Sequence, residues 1–217
     1  GSQNTLIGGL AGDAITTAAN NTAVGYNSLT ANTTGASNVA VGNGSLVNNT
    51  TGASNTAIGS GCLETVTTGS NNAGLGTGAV ATAAGVSNEI TLGNSSISNL
   101  RCNDTSISSL SDERDKTNIV DIPLGLSFLN TVRPVSFDWD RRDGSYAGVK
   151  DFGFIAQELK SAADATVYAG HMRLVHDLNP DKLEADPMKM FPVLVKAIQE
   201  LSTQNAALEA RLTALEA

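Results

Sequence analysis

The first hundred residues of this 217-residue chain contain no lysine or arginine, and their only aromatic residue is Tyr26. Their acidic residues are Asp13, Glu64 and Glu89. A segment so poor in charge and aromatics offers neither a polyanion surface nor a large globular core. Long apolar runs are absent too. Nothing approaches the roughly 20 residues of a membrane span, so no membrane insertion is expected. The start shows no basic residues followed by an apolar stretch, so no signal peptide is expected in it. The two cysteines, Cys62 and Cys102, lack metal or redox spacing and read as isolated thiols. The two histidines, His171 and His176, fit no helical metal pair, so no metal and no cofactor are expected. The formal net charge of −8 argues against nucleic acid as a partner.

What the first half has is a repeat. An apolar-Gly pair recurs at Ile7-Gly8, Val24-Gly25, Val41-Gly42, Ile58-Gly59, Leu75-Gly76 and Leu92-Gly93, in steps of 17 residues. Asn keeps the same period at Asn4, Asn21, Asn38, Asn55 and Asn72, and Glu89 breaks the series. A second apolar column runs Leu29, Leu46, Leu63, Val80 and Ile97, and Thr-Thr-Gly closes units at Gly35, Gly52 and Gly69. A unit this short cannot bury its own apolar residues, so the reading is a stack of short strands with Gly and Asn at the corners. The small side chains leave little core for one chain. Three chains sharing an axis are therefore expected, as a trimeric β-roll or an interleaved β-helix over residues 3–100.

A composition break follows at residues 94–110. From Arg101 onward the chain is rich in charge and holds every Phe and the single Trp139. Residues 101–110 read as a linker and 111–217 as an α+β domain. Pro123 to Val132 reads as a short helix. Val135 to Trp139 alternates like a strand, with a return near Phe152 to Ile155 and a turn at Asp143-Gly144. Gln157 to Ala163 reads as helix. Asp186-Pro187 supplies an N-cap and a proline for a last helix over about 187–217. Asp138, Asp140 and Asp143 around Trp139 read as a solvated hairpin tip rather than as paired catalytic carboxylates. In the last helix Phe191, Ile198, Asn205 and Leu212 fall seven apart, as do Leu194, Leu201, Leu208 and Leu215. Such a seam is a coiled coil, and Asn205 within it fixes register.

Four motifs occur in order: S-D-E-R-D-K-T-N-I from Ser111, R-P-V-S-F-D-W-D from Arg133, D-F-G-F-I-A-Q-E-L from Asp151 and V-L-V-K-A-I-Q-E-L from Val193. Together they resemble the intramolecular chaperone domain at the ends of endosialidase tailspikes, other phage fibres and neck appendages. The unit N-T-A-V-G-Y-N-S-L-T is similar to repeats of phage tail fibres and trimeric bacterial adhesin heads. The resemblance implies a virion tail fibre that forms a homotrimer in the host cytoplasm. Upstream fibre parts would meet a host-surface receptor. It implies that Leu194, Ile198, Leu201, Asn205, Leu208, Leu212 and Leu215 bring three chains together. It also implies a single-turnover serine autoprotease that cuts Leu110–Ser111 and releases the chaperone, with Ser111 as nucleophile and Lys116 as base. The chemistry is sound: a hydroxyl becomes a nucleophile when a neutral amine takes its proton. Arg114 is a candidate for keeping Lys116 neutral. Direct acyl transfer and a shift of the acyl group onto the Ser111 hydroxyl both remain open. From the residues alone, Ser-Asp before a polar run is also an ordinary capped turn. The alternative function is a non-cleaving trimeric adhesin stalk held by a coiled-coil anchor.

Overall fold

The computed structural model describes residues 1–103, 107–142, 144 and 146–216. The chain divides into two compact units, Gly1–Arg101 and Cys102–Ala217.

The first unit is a parallel β-solenoid. Its strands are β1 (Thr5–Ile7), β2 (Thr22–Val24), β3 (Val39–Val41), β4 (Thr56–Ile58), β5 (Ala73–Leu75) and β6 (Ile90–Leu92), stacked in chain order. Every residue pairs with the one 17 positions on, as Ala23 with Ala40 and Ala40 with Ala57. Strands β2 to β5 bury their middle residue, and Ala23, Ala40 and Ala57 are fully buried. The flanking side chains, such as Ile58 and Leu75, face out.

A core already forms within one chain. Ala23, Ala40, Ala57, Leu29, Leu46, Leu63, Cys62 and Val66 form one cluster inside a single chain. Leucine enters this core from a corner of the coil. Leu29, Leu46 and Leu63 adopt left-handed backbone, at φ of 54°, 49° and 51°, and are buried. That conformation costs about 1–2 kcal/mol for a side chain with a Cβ. Burying a leucine returns about 1.5–3 kcal/mol. Val80 and Ile97, in the same column, are exposed and end the leucine column, while Ala79 and Ala81 carry the core on.

Asparagine also departs from its expected corner role. Asn21, Asn38, Asn55 and Asn72 are buried and form a ladder. The Asn38 amide N–H donates to Asn21 Oδ1 at 2.9 Å, and the Asn55 N–H to Asn38 Oδ1 at 2.9 Å. Their Nδ2 groups donate to Gly52 O and Gly69 O, each at 2.9 Å. Each asparagine thus ties three successive coils, with backbone groups that would otherwise be orphaned indoors. Glu89 ends the ladder. Its N–H donates to Asn72 Oδ1 at 3.0 Å, and its carboxylate turns aside to accept from Thr82 N–H at 2.9 Å. Glycine is required beside the strands: Gly25 has φ 135°, and a Cβ there would lie 2.6 Å from Gly42 O.

Among the described residues, the second unit packs four α-helices and two antiparallel strand pairs. Helix α1 is Leu126–Leu129, shorter than the Pro123–Val132 expected, because Pro123 and Gly125 lie outside it. Strands β7 (Val135–Asp138) and β8 (Lys150–Gly153) pair antiparallel, with β8 ending earlier than expected. Asp143 of the expected turn lies outside the described residues. Helix α2 spans Ala156–Asp164 and α3 Ala169–Met172. Strands β9 (Val175–His176) and β10 (Glu184–Ala185) form a second pair that no alternation in the sequence announced. Pro187–Met190 is a 3-10 turn, not the opening of the α-helix, and the Asp186 side chain does not cap it. Helix α4 then runs Phe191–Glu216. The core joins Phe128, Leu159, Ala163, Met172, Leu174, Met190 and Val193. Glu200 on α4 accepts the Leu126 N–H at 2.8 Å and so clips α1 to α4.

Candidate functional site

The polar run from Ser111 folds into one turn. Glu113–Asp115 is a 3-10 helix, with Asp112 as its N-cap and its carboxylate accepting the Arg114 N–H. The turn closes with the Lys116 N–H donating to Glu113 O at 3.0 Å. The capped-turn reading and the dyad reading therefore describe the same geometry. Extended backbone at Asp112 and Lys116 flanks the turn, and its two ends come together on one side. Lys116 Nζ lies 2.7 Å from Ser111 Oγ and 2.9 Å from Ser111 O. A serine hydroxyl and a lysine amine at that distance can exchange a proton.

Arg114 is engaged elsewhere. Its guanidinium grips Asp112 at 2.6 and 3.0 Å, which offsets the charge it could lend against Lys116. The same grip holds the Asp112 carboxyl below its usual range. Ser111, Glu113, Asp115 and Lys116 are all exposed, as are Leu110 and Ile107. In the single chain the Ser111–Lys116 contact forms at an exposed surface.

The seam of α4 is equally open. Phe191, Leu194, Ile198, Leu201, Asn205, Leu208, Leu212 and Leu215 are all exposed. The helix meets its own unit through another face, with Val193 and Ala197 buried. Two apolar faces on one helix explain why the first half of α4 reads both as a packed amphipathic helix and as a coiled coil. Exposed Ile119, Val120 and Phe152 add further uncovered apolar surface to this unit.

The remaining candidates are quiet. His171 and His176 are exposed, and among the described residues no three His, Cys, Asp or Glu side chains gather as for a metal ion. Cys62 is buried, which pushes its thiol up, and Cys102 is exposed and free. Asp138 pairs with Lys150 at 3.1 Å. Trp139 stacks against Arg141, whose guanidinium carbon lies 4.9 Å from its ring. These contacts make a hairpin tip. Asp143, grouped with them in the sequence, lies outside the described residues. Among the described residues no helix is long and apolar enough to cross a membrane.

The sequence missed the buried asparagine ladder and the Glu200 clip. An Asn column in strict register was the available signal for the first, while nothing at Glu200 distinguished it from a solvated helix position. No curated protein and no solved structure matches the chain. Residues 111–168, beginning at Ser111 itself, match the family model described as chaperone of endosialidase.

Proposed function

We propose that this chain is the C-terminal part of a phage tail fibre or tailspike, with residues 111–217 serving as its intramolecular chaperone. The α4 seam gathers three chains and raises the local concentration of their solenoids. The solenoids then fold side by side and the chaperone leaves by cleavage at Leu110–Ser111. The observation that carries the reading is the 2.7 Å contact of Lys116 Nζ with Ser111 Oγ, at the first residue of the matched family segment.

The cleavage proceeds as follows. Lys116, as a neutral amine, takes the Ser111 hydroxyl proton. Ser111 Oγ bonds to the Leu110 carbonyl carbon. The Leu110–Ser111 C–N bond breaks, and the amine leaves with a proton returned by Lys116. Water then splits the ester, giving a carboxylate at Leu110 and the free hydroxyl and amino group of Ser111. Trimerisation supplies what the single chain lacks, a dry surround for the dyad. Cleavage thereby follows assembly, and the fibre that remains is held by a kinetic barrier.

Intact mass and N-terminal sequencing of the purified protein test this. Two fragments are expected, the second beginning Ser-Asp-Glu-Arg. Ser111→Ala should leave the chain whole and trimeric. A different new N-terminus, or undiminished cutting in Ser111→Ala, overturns the dyad. A single uncut band from the unaltered chain favours the adhesin stalk instead.

A further inference from the structure

We propose that a cleft formed by His171, Arg173 and Lys189 receives the acidic turn Glu113–Asp115 of a neighbouring copy and so positions the Ser111–Lys116 pair. The inference rests on the cleavage reading above and names the surface that completes its site.

The cleft follows from the local sequence. Met172, Leu174 and Met190 are buried in the core of the second unit. Their neighbours His171, Arg173 and Lys189 are therefore turned out, and all three line one open cleft of about 600 Å³ with Val167 and Gly170. Arg173 holds left-handed backbone at φ 45°, ending α3 and aiming its side chain into the cleft lining. Strained backbone of this kind recurs at working sites.

Charge suits the cleft to an acidic occupant. The chain carries 21 acidic residues against 13 Lys and Arg. Arg114, Arg133, Lys150, Lys160 and Lys182 form ion pairs within the chain. Among the described residues, His171, Arg173 and Lys189 form no ion pair. The acidic turn is their complement. Asp112 is taken by Arg114, while Glu113 and Asp115 are exposed and form no ion pair among the described residues. Val167, also exposed, offers the apolar flank of the turn a matching contact.

Among the described residues no ion pair joins the turn to the cleft of its own chain, and the occupant proposed is the turn of a second copy. Bringing both cations against Glu113 and Asp115 covers Ser111 and neutralises two carboxylates beside Lys116. Removing that negative charge favours the neutral amine that cleavage uses. Cutting then requires two copies, which couples release to assembly.

Two measurements test this on the full chain. In the first, Cys102→Ser and Ser111→Ala remove the exposed thiol and hold the chain whole. Glu113→Cys with Arg173→Cys should then oxidise to a covalent oligomer on a non-reducing gel, while Glu113→Cys with Lys182→Cys should not. A monomer band from the first pair, or equal crosslinking by both, overturns the proposal. In the second, Arg173→Glu with Lys189→Glu should slow cleavage at least tenfold in trimers verified by light scattering. Adding Glu113→Arg and Asp115→Arg should restore much of the rate. Unchanged cleavage in the charge-reversed variant, or loss of the trimer with no restoration by the swap, overturns it. If the unaltered chain is never cut, the cleavage reading fails by itself, and the crosslink still decides the docking.

Discussion

Replacing Asn55 by Leu should damage the solenoid more than the same change at Asn38, although both side chains are fully buried and sit in the same ladder. The difference lies in what each leaves behind. Asn38 Nδ2 donates to Gly52 O, but Asn49 Nδ2 donates to that oxygen as well, at 3.0 Å. Asn38→Leu therefore orphans one group, the Asn55 N–H that donates to Asn38 Oδ1. Asn55→Leu orphans two. The Asn72 N–H loses Asn55 Oδ1, and Gly69 O loses Asn55 Nδ2, with Val66 standing where Asn49 would have helped. Each buried orphan costs about 1–3 kcal/mol. The expected losses are about 1–3 kcal/mol for Asn38→Leu and about 2–6 kcal/mol for Asn55→Leu. Leucine fills nearly the same space, so a cavity adds little. Coils of a solenoid open locally, and native-state hydrogen exchange reads the loss where it arises. Amides of the coils around the change should exchange about 5- to 150-fold faster in the first variant and about 30- to 10⁴-fold faster in the second. Asn43, an exposed asparagine of the same coil, is the control, and Asn43→Ala should stay within about 0.5 kcal/mol. Equal effects at Asn38 and Asn55, or effects no larger than the control, would refute the ladder.

Changing Leu201 and Leu208 to Asp should abolish the proposed trimer in light scattering, since an unpaired charge cannot stay in a closed seam. Lys116→Arg should be as uncut as Ser111→Ala, because a guanidinium stays protonated, and intact mass reads both. Aromatic disulfide reagents should titrate one thiol per native chain, Cys102, and two after unfolding, since Cys62 is buried and its thiol pushed up. Arg114 holds the Asp112 carboxyl below its ordinary value, so the turn keeps its full support above the usual carboxylate range. That support is lost as pH falls below it, and amide shifts of 112–116 should report the loosening in acid.

The period was plain in the sequence because stacking demands like residues at like heights, and no local preference competes with that demand. Which columns faced inward was not. Val24 and Leu29 are both aliphatic, yet the strand turns Val24 outward and a left-handed corner turns Leu29 inward. A leucine at positive φ runs against its own propensity and is settled only by packing. The asparagines misled for a related reason. The residue that suits a corner also satisfies a buried backbone, and only register distinguishes the two. At the candidate site, the i to i+5 spacing of Ser111 and Lys116 carried the geometry, because a single 3-10 turn spans it. The pairing of Arg114 with Asp112 escaped notice because Arg114 had as many acidic neighbours as choices. Glu200 could not be found at all, since its partner lies 74 residues away.

Identical stacking also makes the solenoid a ruler. Each added coil advances the stack by one strand spacing, about 4.8 Å, and presents the same faces as the coil before it. Removing a whole unit, such as residues 39–55, should shorten the stalk by that amount and leave the Glu89 terminus and everything after it in phase. Removing one residue fewer shifts alanine, leucine and asparagine out of their columns together. Solenoid length can therefore change only by whole steps, and almost any number of steps is open to it.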